Sequence, residues 1–339
     1  MVQKTTIYDI AKAVGVSSTT ISRYLNGHYG SMSTETKQLI ARKIEELEYF
    51  PDSRARGLKS KQSGLVGIVV NHINHQLASQ LARGINKVCS ENGFVTMLFS
   101  SDNDLEKEKE QIRLCQSYHA DAMALIPVNT DCSFYHKVHE GGLPIVMCMR
   151  YRTEWNYGGV YIDNVQITRR ALEQVYENGY HKICFITDEI NLESNKHYRE
   201  RAFVEFATER MQVDGYELLY QVGDDISRIE SSIREMFKKY PNERKAVFTV
   251  NTNMLYLTLK VIKSMNLRIP EDIGILGYDL LGWSEVVSPG ITCLTQPSYR
   301  AGVLIGEQLV KLIKKPGSLE SRETWLNGNI IFRDSTKKF

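Results

Sequence analysis

The chain has 339 residues, 42% of them hydrophobic, and a formal net charge of +2. That length is more than one typical domain and that apolar content is enough for a sizeable core, so two or three domains are expected. No stretch approaches the ~20 apolar residues of a membrane span and no N-terminal run resembles a signal peptide, which points to a soluble cytoplasmic protein. The six cysteines (Cys89, Cys115, Cys132, Cys148, Cys184 and Cys293) are scattered, without a CxxC pair. Most have apolar neighbours, so buried free thiols are expected.

Charge is unevenly placed. Up to Gln62 there are ten basic residues against six acidic ones, and beyond it thirty-two against thirty-four. A basic head on a mildly acidic body suits a DNA-binding domain joined to a soluble sensor. The head starts with an amphipathic helix over 5–14, with Ile7, Ile10, Ala11 and Val14 on one face. Gly15 ends it, since glycine takes the left-handed conformation of a sharp stop. Ser17 caps a second helix, Ser18–Leu25, which Asn26-Gly27 stops. Two short helices around a tight glycine turn make a helix-turn-helix. Ser18, Thr19 and Thr20 are small and polar, which lets a helix N-terminus approach a major groove. Arg23 one turn later has the geometry to grip guanine O6 and N7. A solvated helix face is the alternative reading of the same residues. A third helix opens at Ser33 and carries Ile40, Ile44 and Leu47 inward.

Pro51 breaks the third helix. The basic segment 53–63 then contains Gly57 and Leu58; it reads either as a plain solvated linker or as a segment that folds only against DNA and a second copy. Taken together, Thr6-Ile7-Tyr8-Asp9-Ile10-Ala11, Val16-Ser17-x-x-Thr20-Ile21-Ser22-Arg23-x-Leu25-Asn26 and Ala55-Arg56-x-Leu58-Lys59 resemble the lactose-repressor (LacI/GalR) family of bacterial regulators. The resemblance implies that Ser18, Thr19 and Arg23 face bases and that Ser17, Ser22 and Asn26 hold phosphates. Thr6, Ala55 and Lys59 complete the expected DNA-contacting set, and Leu58 would wedge into the minor groove from a hinge helix. Asp52 departs from the asparagine that many members carry beside the DNA.

From Leu65 short apolar runs alternate with helices, the pattern of a parallel sheet with crossover helices. Strands are expected at 64–70, 94–99, 122–127 and 144–148, and again at 159–163, 181–186, 245–250 and 273–278. Helices fall at 77–91, 105–118, 167–178 and 198–211. The restart at Gly159 suggests two α/β lobes, so the fold class is an all-α head and hinge helix joined to a two-lobed periplasmic-binding-protein-like body. The boundaries are residues 1–50 for the head, 51–63 for the hinge and 64–339 for the body. Lobe 1 is set at about 64–158 and 291–318, and lobe 2 at about 159–290 and 319–339.

Ligands in such sheets bind beyond the carboxyl ends of strands. That rule selects Asn71, His72, Asn74, His75, Gln76, Arg150, Arg152, Asp188, Arg199, Asn251, Thr252 and Asp279. The resemblance continues through Ile269-Pro270-Glu271-Asp272-Ile273-Gly274-Ile275-Leu276-Gly277-Tyr278-Asp279 and Thr292-x-Leu294-Thr295-Gln296-Pro297. It implies that Asp279 accepts from ligand hydroxyls, that Arg199 donates to them, and that Arg150 lies against the ligand. Gln76 replaces a phenylalanine common in the family, and Thr252 an aspartate. The lost acid with three arginines kept shifts the cleft toward an acidic sugar such as ketodeoxygluconate or a uronate.

An enzyme is the first rival. His72-x-x-His75 lies in a loop and His136-x-x-His139 sits in a helix with no acidic or cysteine partner at metal-site spacing, and no Walker, GxGxxG or GxSxG run is present. Neither metal nor cofactor is therefore expected. The second rival is a sugar-binding protein without a regulatory role. The preferred reading is a ligand-responsive repressor of carbohydrate-utilisation genes, a homodimer spanning palindromic operator DNA. No leucine-heptad tail follows Phe332, so a tetramer built on one is not expected. Whether the effector releases DNA or promotes its binding stays open.

Overall fold

The computed structural model describes residues 5–25, 27–30, 32–49, 62–74, 76–188, 190, 195–278, 282–316, 318 and 323–338. The chain forms two units, Met1–Gly64 and Leu65–Phe339.

The first unit contains α1 (Ile7–Val14), α2 (Ser18–Leu25) and α3 (Thr34–Glu46). Each start is closed by a hydroxyl. Thr6 and Asp9 form a reciprocal capping box, in which the Thr6 N–H donates to Asp9 Oδ2 at 2.8 Å. Ser17 Oγ accepts from the Thr20 N–H at 3.2 Å, and Ser33 Oγ from the Thr36 N–H at 3.1 Å. Gly15 ends α1 at a φ of 78°, with its N–H on Ala11 O. Helices of eight residues do not persist alone in water, and these are held by Ile10, Ala11, Ile21 and Ile40, all buried together. Thr6→Ala removes half of the capping box and is expected to cost about 1 kcal/mol. Faster hydrogen exchange at the α1 amides, with exchange in α3 much less affected, would register it.

The second unit holds two six-stranded sheets. The first has the order β11-β5-β4-β3-β1-β2. Its strands are β1 (Leu65–Val70), β2 (Val95–Ser100), β3 (Ala122–Leu125), β4 (Ile145–Met149), β5 (Gly159–Ile162) and β11 (Glu323–Leu326), and every pairing is parallel. The second has the order β12-β10-β9-β8-β6-β7. It comprises β6 (Lys182–Thr187), β7 (Leu219–Gln221), β8 (Lys245–Thr249), β9 (Gly274–Tyr278), β10 (Thr292–Thr295) and β12 (Asn329–Ile331), with β12 antiparallel to β10. Central strands β3, β4, β8 and β9 are buried throughout. Helices cover both faces, which is why these strands read as continuous apolar runs.

Lobe boundaries differ from the sequence expectation. Strand β5 pairs with β4, so 159–162 belongs to lobe 1, and β10 pairs with β9, so 292–295 belongs to lobe 2. Helix Ser298–Lys314 returns to lobe 1, packing on helix Gln76–Glu91, and the C-terminal strands divide between the two sheets. The chain thus crosses between lobes at 162–164, 295–298 and 326–329. An apolar strand has the same appearance in either sheet, and hydrogen bonding alone assigns it.

All six cysteines are buried and free. Burial pushes the Cys89 thiol up to about 11 and the Cys115 thiol up to about 12, so neither is a ready nucleophile at neutral pH.

Candidate functional site

Beyond the carboxyl ends of both sheets lies a cavity of about 480 Å³, a size that accepts a small sugar. It is reached from lobe 1 by Asn71, His72, Asn74, Gln76, Asn103 and Arg150, and from lobe 2 by Asp188, Lys196, Arg199, Asp224, Asn251 and Thr252. Helices Gln76–Glu91, Asn195–Phe206 and Thr252–Ser264 all present first-turn residues to it. Helix N-termini carry partial positive charge and unpaired N–H groups, which favours an anion.

Arg150 is placed by a strained turn. Met149 ends β4 at a φ of 64°, and the Arg150 N–H donates back to Cys148 O at 2.6 Å. This is a γ-turn of the rare positive-φ kind, and such strain concentrates at functional sites. The guanidinium then donates to Pro127 O and Asn103 Oδ1, both at 2.9 Å, and makes no ion pair among the described residues. Burial, helped by the Arg152 charge, brings its pKa down to about 10, so it remains charged at neutral pH.

Near enough to Arg150 for their charges to interact lies Glu108, fully buried. It accepts from the Val128 N–H at 2.7 Å and from the Tyr135 hydroxyl, which itself accepts from the Asn129 N–H at 3.0 Å. The chain fixes the 127–129 segment, whose carbonyls hold Arg150 and Arg152. Burial raises the Glu108 carboxyl above its ordinary value of 4.5, against its hydrogen bonds to Tyr135 and Val128. An acid with a raised folded pKa binds its proton more tightly in the fold. Its contribution to stability is therefore complete below the unfolded value and lost as pH rises through the folded one. Glu108→Gln is expected to flatten that slope in urea unfolding followed against pH. Glu108→Ala strips Val128 and Tyr135 of their acceptor and should cost about 2–3 kcal/mol.

Arg199 answers from lobe 2. It is 5% exposed, donates from Nε to Asn164 Oδ1 at 3.0 Å and from Nη1 to Val250 O at 2.6 Å, and lies 3.5 Å from the centroid of the Tyr278 ring. Burial lowers its pKa, while Tyr278 and Asp188 pull the other way. Asn164 Oδ1 also accepts from Gln296 Nε2 at 3.3 Å. The arginine is thereby tied to residues bordering two of the lobe crossings. Asn251 caps its helix by accepting from the Met254 N–H and donates to Asp188 Oδ2 at 3.1 Å. Asp188 Oδ1 lies 2.7 Å from Lys196 Nζ. The Thr252 hydroxyl donates to Tyr278 O. Gln76 Oε1 is buried and has no hydrogen-bond partner among the described residues.

Of the sequence-selected cleft residues, Asn74, Gln76, Arg150, Asp188, Arg199, Asn251 and Thr252 meet at this cavity, as do Asn71 and His72. Arg152 does not line it. It is 4% exposed and spends its guanidinium on Asn129 O and Tyr151 O, so its role is to hold the loop. Asp279 and His75 lie outside the described residues, as do Asn26, Ala55, Leu58 and Lys59. Sequence reasoning passed over Asn103, Lys196, Asp224, Asn253 and Gln296, which line the cavity. Lys196 was within reach, one turn before Arg199 on the same helix. The His136/His139 pair is engaged elsewhere: His136 Nε2 lies 3.0 Å from Glu154 O, and His139 Nδ1 accepts from the Ile145 N–H at 2.9 Å. No group of residues able to hold a metal ion occurs among the described residues, and no helix there is long and apolar enough to cross a membrane.

In the first unit, Thr6, Ser17, Thr19 and Arg23 are exposed and Ser18 and Ser22 half-buried. Ile21 turns inward, leaving Thr19 and Arg23, one turn apart, on the open face of α2. The Ser17 hydroxyl is engaged in capping.

The pattern for bacterial regulatory proteins of the lacI family matches residues 6–52, and that for a periplasmic binding protein-like domain matches 172–336. The chain is 31% identical over 333 residues to the HTH-type transcriptional regulator KdgR of Bacillus subtilis, covering 98% of this chain and 97% of that one. It is 28% identical over 334 residues to the HTH-type transcriptional regulator PtxS of Pseudomonas aeruginosa, covering 98% and 96%. Among solved structures, the Lac repressor dimer bound to operator and the anti-inducer ONPF superposes with a TM-score of 0.81 at 18% identity, covering 99% of this chain and all of that one. A transcriptional regulator CelR–cellobiose complex does so with a TM-score of 0.69 at 24% identity, covering 98% and 100%. A helix-turn-helix head, a two-lobed cleft and this likeness along nearly the whole length together establish that the chain belongs to the lacI family of DNA-binding transcriptional regulators and is not an enzyme.

Proposed function

We propose that this regulator is a cytoplasmic, nucleoid-associated homodimer that represses carbohydrate-utilisation genes and answers to an acidic sugar such as ketodeoxygluconate or a uronate. One observation carries the choice of effector. Each lobe offers the cavity a buried or half-buried arginine, Arg150 and Arg199, and neither makes an ion pair among the described residues. Arginine forks match a carboxylate. The relatives include a ribose operon repressor and catabolite control protein A, in keeping with control of carbohydrate genes. On the DNA side, each helix-turn-helix would read one half-site through Ser18, Thr19 and Arg23, with Thr6, Ser17, Ser22, Asn26, Ala55, Leu58 and Lys59 on backbone and minor groove. A palindrome then requires two copies.

The test joins both halves. Calorimetry should find an acidic sugar bound more tightly than its neutral counterpart, and that acid should change the affinity for the promoter-proximal palindrome. Tight binding of a neutral sugar alone would reject the effector. In the same gel-shift assay, Arg23→Ala should relax base preference by about 1–3 kcal/mol at one position of each half-site.

A further inference from the structure

Lys196 changes how the cleft reads. It stands in the first turn of helix Asn195–Phe206 and lines the cavity from lobe 2, as Arg150 and His72 line it from lobe 1. His72 is close enough to sense the charges of Arg150, Lys196 and Asp102, and its burial keeps it toward the neutral form. Lys196 Nζ is held 2.7 Å from Asp188 Oδ1, with both side chains only partly exposed. Asp188 is in turn anchored by Asn251 through its other oxygen. Among the described residues, Arg150 donates to the neutral acceptors Pro127 O and Asn103 Oδ1, with the buried Glu108 carboxyl near enough to act on its charge.

We propose that Arg150 and Lys196 form a two-sided carboxylate clamp, one cation from each lobe, with Asp188 as the resting counter-ion that an acidic ligand displaces. This rests on the acidic-effector reading above. Two cations facing each other across a closing cleft repel, and the repulsion grows as water leaves. A carboxylate between them replaces that repulsion with two charge-assisted hydrogen bonds, so closure becomes favourable with an anion in place. A neutral sugar leaves Lys196 on Asp188 and requires Arg150 to lose solvent without gaining a partner, which is costly. The clamp thus couples discrimination to lobe closure, the motion expected to reach the DNA-binding head.

The full-length protein tests this by titration calorimetry with 2-keto-3-deoxy-D-gluconate, D-gluconate, D-galacturonate, D-glucose and D-galactose. Wild type is expected to bind at least one acid. Lys196→Gln should weaken that acid on the order of tenfold or more, leaving any weak neutral-sugar binding unchanged. Asp188→Asn should keep or strengthen acid binding, because it frees Lys196. Thermal midpoints close to wild type show that both variants fold. If wild type binds an acid and Lys196→Gln stays within twofold of it, the clamp is overturned while the acidic-effector reading stands. A tenfold loss in Asp188→Asn overturns the counter-ion role. Binding of neutral sugars alone, or of nothing on the panel, removes the reading beneath the clamp and the clamp with it.

Discussion

Arg199→Met is expected to weaken effector binding by roughly a hundredfold or more, while the protein still folds and still binds operator DNA. Arg199 is 5% exposed and its guanidinium is already fixed by Asn164, Val250 and the face of Tyr278. Its desolvation is met on folding, so a ligand gains its hydrogen bonds without paying to organise it. Methionine fills a similar volume without the charge. The fold loses a buried cation, and Asn164 Oδ1 keeps the Gln296 amide, so stability should change by no more than about 1–2 kcal/mol. Calorimetry reads the effector, thermal denaturation reads the fold, and fluorescence anisotropy on operator DNA reads the head. A variant whose effector affinity stays within threefold of wild type would remove Arg199 from the site.

Gly302→Val should destabilise the second unit by about 3 kcal/mol or more. Helices Gln76–Glu91 and Ser298–Lys314 touch through backbone here: a Cβ on Gly302 would lie 2.2 Å from Leu81 O, and one on Gly84 would lie 2.4 Å from Tyr299 O. Neither neighbour is a flexible side-chain tip, so the helices must part. Gln76 and Leu77 begin one helix at the cavity, and Gln296 precedes the other at a lobe crossing. Parting them shifts both edges of the site, so urea unfolding should show the lost stability and calorimetry a weakened effector. Gly30→Ala, at a position where a Cβ meets nothing within 4 Å, is the matched control and should leave both unchanged.

The head was legible because its signals are local. A capping threonine, a glycine turn and a serine three residues before its partner amide specify helix ends through contacts within one turn, and α2 spans Ser18–Leu25 as expected. The long strands were legible for a similar reason, since a strand buried on both faces needs an unbroken apolar run. Strands β7, β11 and β12 have three or four residues each and are half-exposed, too short to display a period.

The cleft was only partly legible. The rule that polar residues follow strand ends recovered Asn71, His72, Arg150, Asp188 and Asn251, because sheet topology fixes where those ends point. It could not separate Arg150 from Arg152. Two residues apart on one loop, they differ by where a γ-turn at Met149 aims the first and by the carbonyls that capture the second. Nor could it find Lys196, Asp224 or Gln296, which reach the cavity from helix starts, a loop and a lobe crossing. By itself the sequence determined the helix-turn-helix and the two-lobed architecture, both of which follow from local patterning and residue type. Tertiary structure alone decided which lobe owns β5 and β10, and which cations line the cavity, because both depend on contacts between residues far apart in the chain.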